Sequence, residues 1–129
     1  MNEPLAPMAG TATGPAPAVS NNIESFHRVL NIMLAVDSKV SDLIFSPGRP
    51  PQVELTGDLQ GVPIPGLEML TAPQIKAMAD LMLLGNEQGL ETLDKKGSSD
   101  ISYSVPGLCR FRVNIFLLCY TISFFTSFY

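Results

Sequence analysis

The sequence predicts an α+β fold: a mainly antiparallel sheet with helices packed on one face. Three observations carry the prediction. Segments of helical period and segments of alternating period follow one another along a 129-residue chain, and that length suits one domain with tails. Residues 97–114 read as an amphipathic β-hairpin. The glycines follow neither the GxGxxG nor the GxxxxGK[ST] spacing of parallel nucleotide-binding folds.

Residues 1–20 are rich in Pro, Ala, Gly and Thr and lack periodicity, so a disordered leader is expected there. They also lack a basic n-region and a continuous apolar stretch, so no signal peptide is read and a cytoplasmic location is expected. A first helix is expected from Asn21 or Asn22, where Asn21 and Glu24 have capping-box spacing. Ile23, Phe26, Leu30, Met33 and Leu34 then trace its apolar stripe. His27 lies off that stripe and is expected to be solvated. Ser41–Phe45 reads as a short strand, and Ser46–Pro51 as a loop because its prolines cannot donate to a ladder. Gln52–Thr56 alternates like a strand, Gly57-Asp58 signals a turn, and Leu59–Ile64 returns. Thr71-Ala72-Pro73-Gln74 starts a second helix with a capping box and an early proline. Ile75, Met78, Ala79, Met82 and Leu83 form its buried stripe, with the methionines as core filler. Gly85-Asn86 stops it, and a shorter helix over Glu87–Leu93 leads to Gly97.

In the hairpin, Ile101, Tyr103 and Val105 share a face with Cys109, Phe111, Val113 and Ile115. The opposite face holds Asp100, Ser102 and Ser104 beside Arg110, Arg112 and Asn114. Val105-Pro106-Gly107-Leu108 suits a type II turn, with Pro and Gly at its two centres. Two guanidinium groups on one strand face suit an anionic partner, phosphate first, because the planar fork matches its oxygens. The alternative is that one or both arginines simply solvate the outer sheet face or pair with Asp100. Overall charge points elsewhere than nucleic acid: the net charge is −4, whereas nucleic-acid binders carry a basic surplus. One His and two Cys cannot supply four protein ligands to zinc, so no metal site is expected. Cys109 and Cys119 are expected to be buried or inert thiols.

From Ile115 to Tyr129 the chain carries no charge and is rich in aromatic and β-favouring residues. At 15 residues it falls short of the ~20 needed for a membrane-spanning helix. A foreign tail over residues 117–129, from a frameshift or truncation, is the expected origin, with a partner-pairing strand and a membrane anchor as alternatives. Its removal is expected to improve solubility.

The order of Ser41-Asp42-Leu43, Pro47-Gly48-Arg49-Pro50-Pro51, Gly57-Asp58, Asp100–Gly107 and Arg110–Phe116 resembles the N-terminal domain of the twitching-motility, or pilus-retraction, ATPases of type IV pili, in the secretion ATPase superfamily. The resemblance covers about residues 23–116, and Arg110-Phe111-Arg112-Val113-Asn114 is its strongest piece. It implies a PAS-like domain over residues 21–116, seated on a RecA-like motor in a hexameric ring at the pilus inner-membrane machinery. It implies ATP and Mg as the intact family's cofactors, and Arg110 and Arg112 as phosphate contacts there. The Walker A loop, acidic boxes and His box of such motors are not in this sequence, and Ile44 stands where the family commonly has His. The expectation is a regulatory or oligomerisation domain that has no catalytic residues, needs no cofactor of its own and hydrolyses no ATP. A free-standing PAS-like module for a small ligand or a protein is the alternative.

Overall fold

A computed structural model describes residues 23–127. The expected leader, Asn21 and Asn22 lie outside the described residues. Helix α1 (Ile23–Leu34) is followed by strands β1 (Val40–Phe45), β2 (Gln52–Leu55) and β3 (Asp58–Gly61). Helices α2 (Ala72–Met82) and α3 (Glu87–Lys96) come next, then β4 (Ser98–Val105), β5 (Cys109–Phe116) and β6 (Thr121–Ser127). The strands form one sheet in the order β3-β2-β1-β6-β5-β4, and every neighbouring pair is antiparallel.

Each helix is set by local chemistry. α1 buries Phe26, Val29, Leu30 and Met33 along one stripe and leaves Ile23 exposed at its end. Thr71 caps α2: its Oγ1 accepts from the Gln74 N–H, and the Gln74 side chain accepts from the Thr71 N–H. Two orphan donors of the first turn are thereby met. Asn86 caps α3 by accepting from the Gly89 N–H. α3 runs three residues past the expected Leu93, to Lys96. Lys95 and Lys96 lie in its last turn, where positive charge complements the helix dipole. The hydroxyl of buried Ser99 donates to the Gly89 carbonyl at 3.0 Å, fastening α3 to β4.

Strand β1 breaks the alternation of its sequence. Val40 pairs with Leu55 and Asp42 with Glu54, so Ser41 is the extra residue of a β-bulge. The bulge lets Val40 and Leu43, three apart, both point into the core. The Thr126 hydroxyl of β6 donates to the Ser41 carbonyl at 3.2 Å. The β2–β3 turn is centred on Thr56 and Gly57, both with positive φ, one residue earlier than expected. That is the twist-compatible two-residue hairpin geometry. β3 ends at Gly61 rather than Ile64. Val62 and Ile64 leave the ladder to enter the core, together with Leu67 and Leu70.

The largest departure concerns the expected tail over residues 117–129, of which 117–127 lie among the described residues. The chain turns at Leu117–Tyr120, with Tyr120 at positive φ, and re-enters the sheet as β6. β6 pairs with β1 on one side and β5 on the other. The expected boundary after Phe116 is therefore not a boundary of the folded unit. The cause is alternation within the apolar tract: Ile122 and Phe124 point inward and are fully buried, while Thr121, Ser123 and Phe125 point to the other face. Phe124 meets Phe111 and Phe45 edge-on, with ring centroids 5.3 Å and 5.5 Å apart, and lies 6.2 Å from Phe26. Helices and inward strand residues share one hydrophobic core.

His27 is not simply solvated. Its Nε2 lies 2.6 Å from the Tyr103 hydroxyl, bridging α1 and β4, and its ring packs edge-on against the Tyr103 ring. Partial burial lowers its pKa below the usual histidine value. The folded state thus disfavours the imidazolium, and below the unfolded value of about 6.5 the unfolded chain gains protons that the folded chain resists. Melting temperature is expected to be level above pH 7 and to fall as pH drops from 6.5 towards 5, more steeply than in H27Q. Equal slopes in the two proteins would remove His27 as the cause.

Candidate functional site

The hairpin forms as its sequence dictates. β4 and β5 pair without a register break from Ser98↔Phe116 to Val105↔Cys109. Pro106 and Gly107 turn the chain, with Gly107 at φ +78° and the Leu108 N–H donating to the Val105 carbonyl at 3.0 Å. A residue with a Cβ is strained at that φ, so glycine is required there. Ile101, Val105, Phe111, Val113 and Ile115 are buried against the helices. The opposite face of the sheet carries exposed Asp100, Ser102, Ser104, Arg110 and Arg112.

Arg110 and Arg112 stand on that open face one pleat repeat apart, about 7 Å along the strand. They share β5 but not their surroundings. The Arg112 Nη2 donates to Asp100 Oδ2 at 3.0 Å, and its Nε reaches Oδ1 at 3.5 Å. This cross-strand fork fixes the guanidinium plane, and the hydrogen bond to Asp100, then its charge, raises the Arg112 pKa above its ordinary value. Both side chains remain more than half exposed, so the pair contributes little to stability and the guanidinium stays accessible. Arg110 pairs in register with Ser104 on one side and Ser127 on the other.

Residues beyond the hairpin complete the face. Arg112 aligns with Phe125 of β6, which aligns with Asp42 of β1, itself paired with Glu54 of β2. Basic side chains therefore occupy β5 and acidic ones β1 and β2, with a half-buried Phe125 between them. Sequence reasoning placed the arginines and Asp100 together but missed Asp42, Glu54 and Phe125. Only the position of β6 brings them into one row, and the alternation Thr121-Ile122-Ser123-Phe124 was its signal.

The remaining candidates do not converge. His27 faces Tyr103 on the helix side, away from the arginines. Cys109 is half-buried and burial pushes its thiol pKa up. Cys119 is exposed in the β5–β6 turn, so of the expected pair of buried or inert thiols it is not a buried one. Lys95 sits 3.9 Å from Glu91 on the surface of α3. No helix among the described residues is long and apolar enough to cross a membrane.

This α+β fold, with its six-stranded antiparallel sheet and three helices among the described residues, is consistent with the N-terminal domain of PilT-like secretion ATPases. Among curated proteins, the chain is 36% identical over 87 residues to the type IV pilus retraction ATPase PilT of Pseudomonas aeruginosa, a match covering 65% of this chain and 24% of that protein. Among solved structures, the pilus retraction motor PilT with bound ADP superposes at a TM-score of 0.60 with 22% identity, covering 81% of this chain and 28% of that one. The ATPase DotB of Legionella pneumophila gives 0.61 with 18% identity, covering 80% and 28%. DotB of Yersinia pseudotuberculosis gives 0.60 with 19% identity, covering 82% and 30%. These structures share the fold. The chain spans about a quarter of the length of the curated relative it matches. No protein-family model matches the chain.

Proposed function

We propose that this chain acts as the N-terminal domain of a pilus-retraction type of secretion ATPase, a regulatory and assembly element that leaves ATP hydrolysis to a motor domain. The observation that supports this most is the pair Arg110 and Arg112 on the open face of a sheet whose other face carries the hydrophobic core. A face of that kind can meet the phosphates of a nucleotide held by an apposed motor. Two guanidinium forks, that of Arg112 held by Asp100, offer phosphate oxygens paired, charge-assisted hydrogen bonds. The likeness to the P. aeruginosa protein supports the same reading. In this role the domain sits in the cytoplasm, moves against the motor as nucleotide turns over, and contacts neighbouring subunits of a hexameric ring at the inner-membrane pilus machinery. ATP and Mg belong to the motor.

The test uses the chain itself. Titration with inorganic tripolyphosphate, followed by amide shifts, is expected to show weak binding centred on β5. R110A/R112A is expected to weaken it roughly tenfold, the equivalent of one charge-assisted hydrogen bond. Melting temperature should hold, because both side chains lie on the exposed face. Equal binding by the double variant would end the phosphate reading.

A further inference from the structure

The two edges of the sheet are built differently. β3 is four residues long and exposed throughout. β4 is eight residues long, and its ladder with β5 runs without a bulge. It contains no proline and no lysine. Natural sheets blunt their edges with short strands, bulges, prolines or lysines, because an unpaired strand templates another. β3 is short, and β4 has none of these devices.

The hydrogen-bond phase tells which groups of β4 are unpaired. The Leu117 N–H donates to the Gly97 carbonyl at 2.9 Å, in register with the β4–β5 ladder. Residues of the same parity, Ser99, Ile101, Tyr103 and Val105, therefore exchange their backbone bonds with β5. Ser98, Asp100, Ser102 and Ser104 turn their N–H and C=O groups outward, where no other strand lies among the described residues. Alongside runs a groove of about 370 Å³, lined by Asn86, Gly89 and Thr92 of α3 and by Asp100, Ile101 and Ser102 of β4.

We propose that this edge pairs with the same edge of a second copy of the chain, joining two sheets about a two-fold axis at Ser102. The phase allows even-numbered residues to bond only with even-numbered ones, so a symmetric antiparallel pairing centres near the strand's middle on Ile101 or on Ser102. Charge chooses between them. Centring on Ile101 sets Asp100 diagonally across from its own twin, which like-charge repulsion disfavours. Centring on Ser102 separates the two carboxylates and puts each Asp100 opposite Ser104 of the other copy, whose cross-strand neighbour is Arg110. Each Asp100 then stands between its own Arg112 and the twin's Arg110. The edge spans about 27 Å at 3.4 Å per residue, so the interface belongs to the small, weak class.

Sedimentation equilibrium of the full chain up to about 0.5 mM, a range suited to weak association, is expected to show a monomer–dimer equilibrium. Amide exchange at Ser102 and Ser104 should slow as concentration rises. S104D sets a second carboxylate opposite Asp100 at both symmetric positions and should weaken the dimer about tenfold. Ser104 is exposed, so this variant should keep the parent's melting behaviour. S102P removes the outward donor at the axis and should leave a monomer. A parent that stays monomeric throughout, or an S104D protein that dimerises as the parent does, would overturn the proposal.

Discussion

A chain cut after Phe116 is expected to lose cooperative folding altogether. Among the described residues, β6 is the only strand joining β1 to β5 in the order β3-β2-β1-β6-β5-β4. Without it the sheet parts into a three-stranded half and a two-stranded half, each with a raw inner edge. The cut also removes Ile122 and Phe124 from the middle of the core and leaves the Ser41 bulge carbonyl without its Thr126 donor. Two buried side chains at about 1.5–3 kcal/mol each, plus a double ladder, take a large share of a typical total of about 5–15 kcal/mol. The cut protein should show no thermal transition and partition into the insoluble fraction. A soluble truncated protein with a sharp melt would restore the reading of residues 117–129 as a dispensable tail, and with it the expectation that removing them helps.

Phe124→Ala is the second large effect. The ring is fully buried, edge-on to Phe45 and Phe111 and tilted against Phe26. It is the point where α1, β1, β5 and β6 meet. Truncation to alanine loses both the transfer energy and the packing of three aromatic neighbours, for a cost of about 3–5 kcal/mol. Phe125→Ala, one residue on but on the open face, should cost far less, because that ring is only half-buried. Urea denaturation of the two variants checks both at once. Similar losses would mean that the face assignment of β6 is wrong.

Most of the fold was legible because its signals are local. The capping box at Thr71, the turn at Pro106-Gly107 and the alternation on either side of it each act within a few residues. The paired arginines were legible for the same reason, since face is set by parity along one strand. Three features were not. The extra residue at Ser41 depends on pairing with β2, and nothing in Val40-Ser41-Asp42 announces it. Tyr103 meets His27 from 76 residues away, a distance that periodicity does not reach. The strand over Thr121–Ser127 was hidden by composition. A run of 15 uncharged residues reads first as a tract, and only its Thr/Ser positions betray a two-sided strand.

One of the sheet's two central strands, β6, is the last of the described strands in sequence, and this has a consequence for biosynthesis. Asp42 and Phe125 are neighbours across the ladder, yet most of the protein is made between them. As the polypeptide emerges, the β1–β3 meander and the β4–β5 hairpin can each form early, but nothing unites them until residues 121–127 arrive. Closing so long a loop is slow compared with local turns. Union of the two parts of the sheet therefore waits on β6, the last of its described strands to emerge.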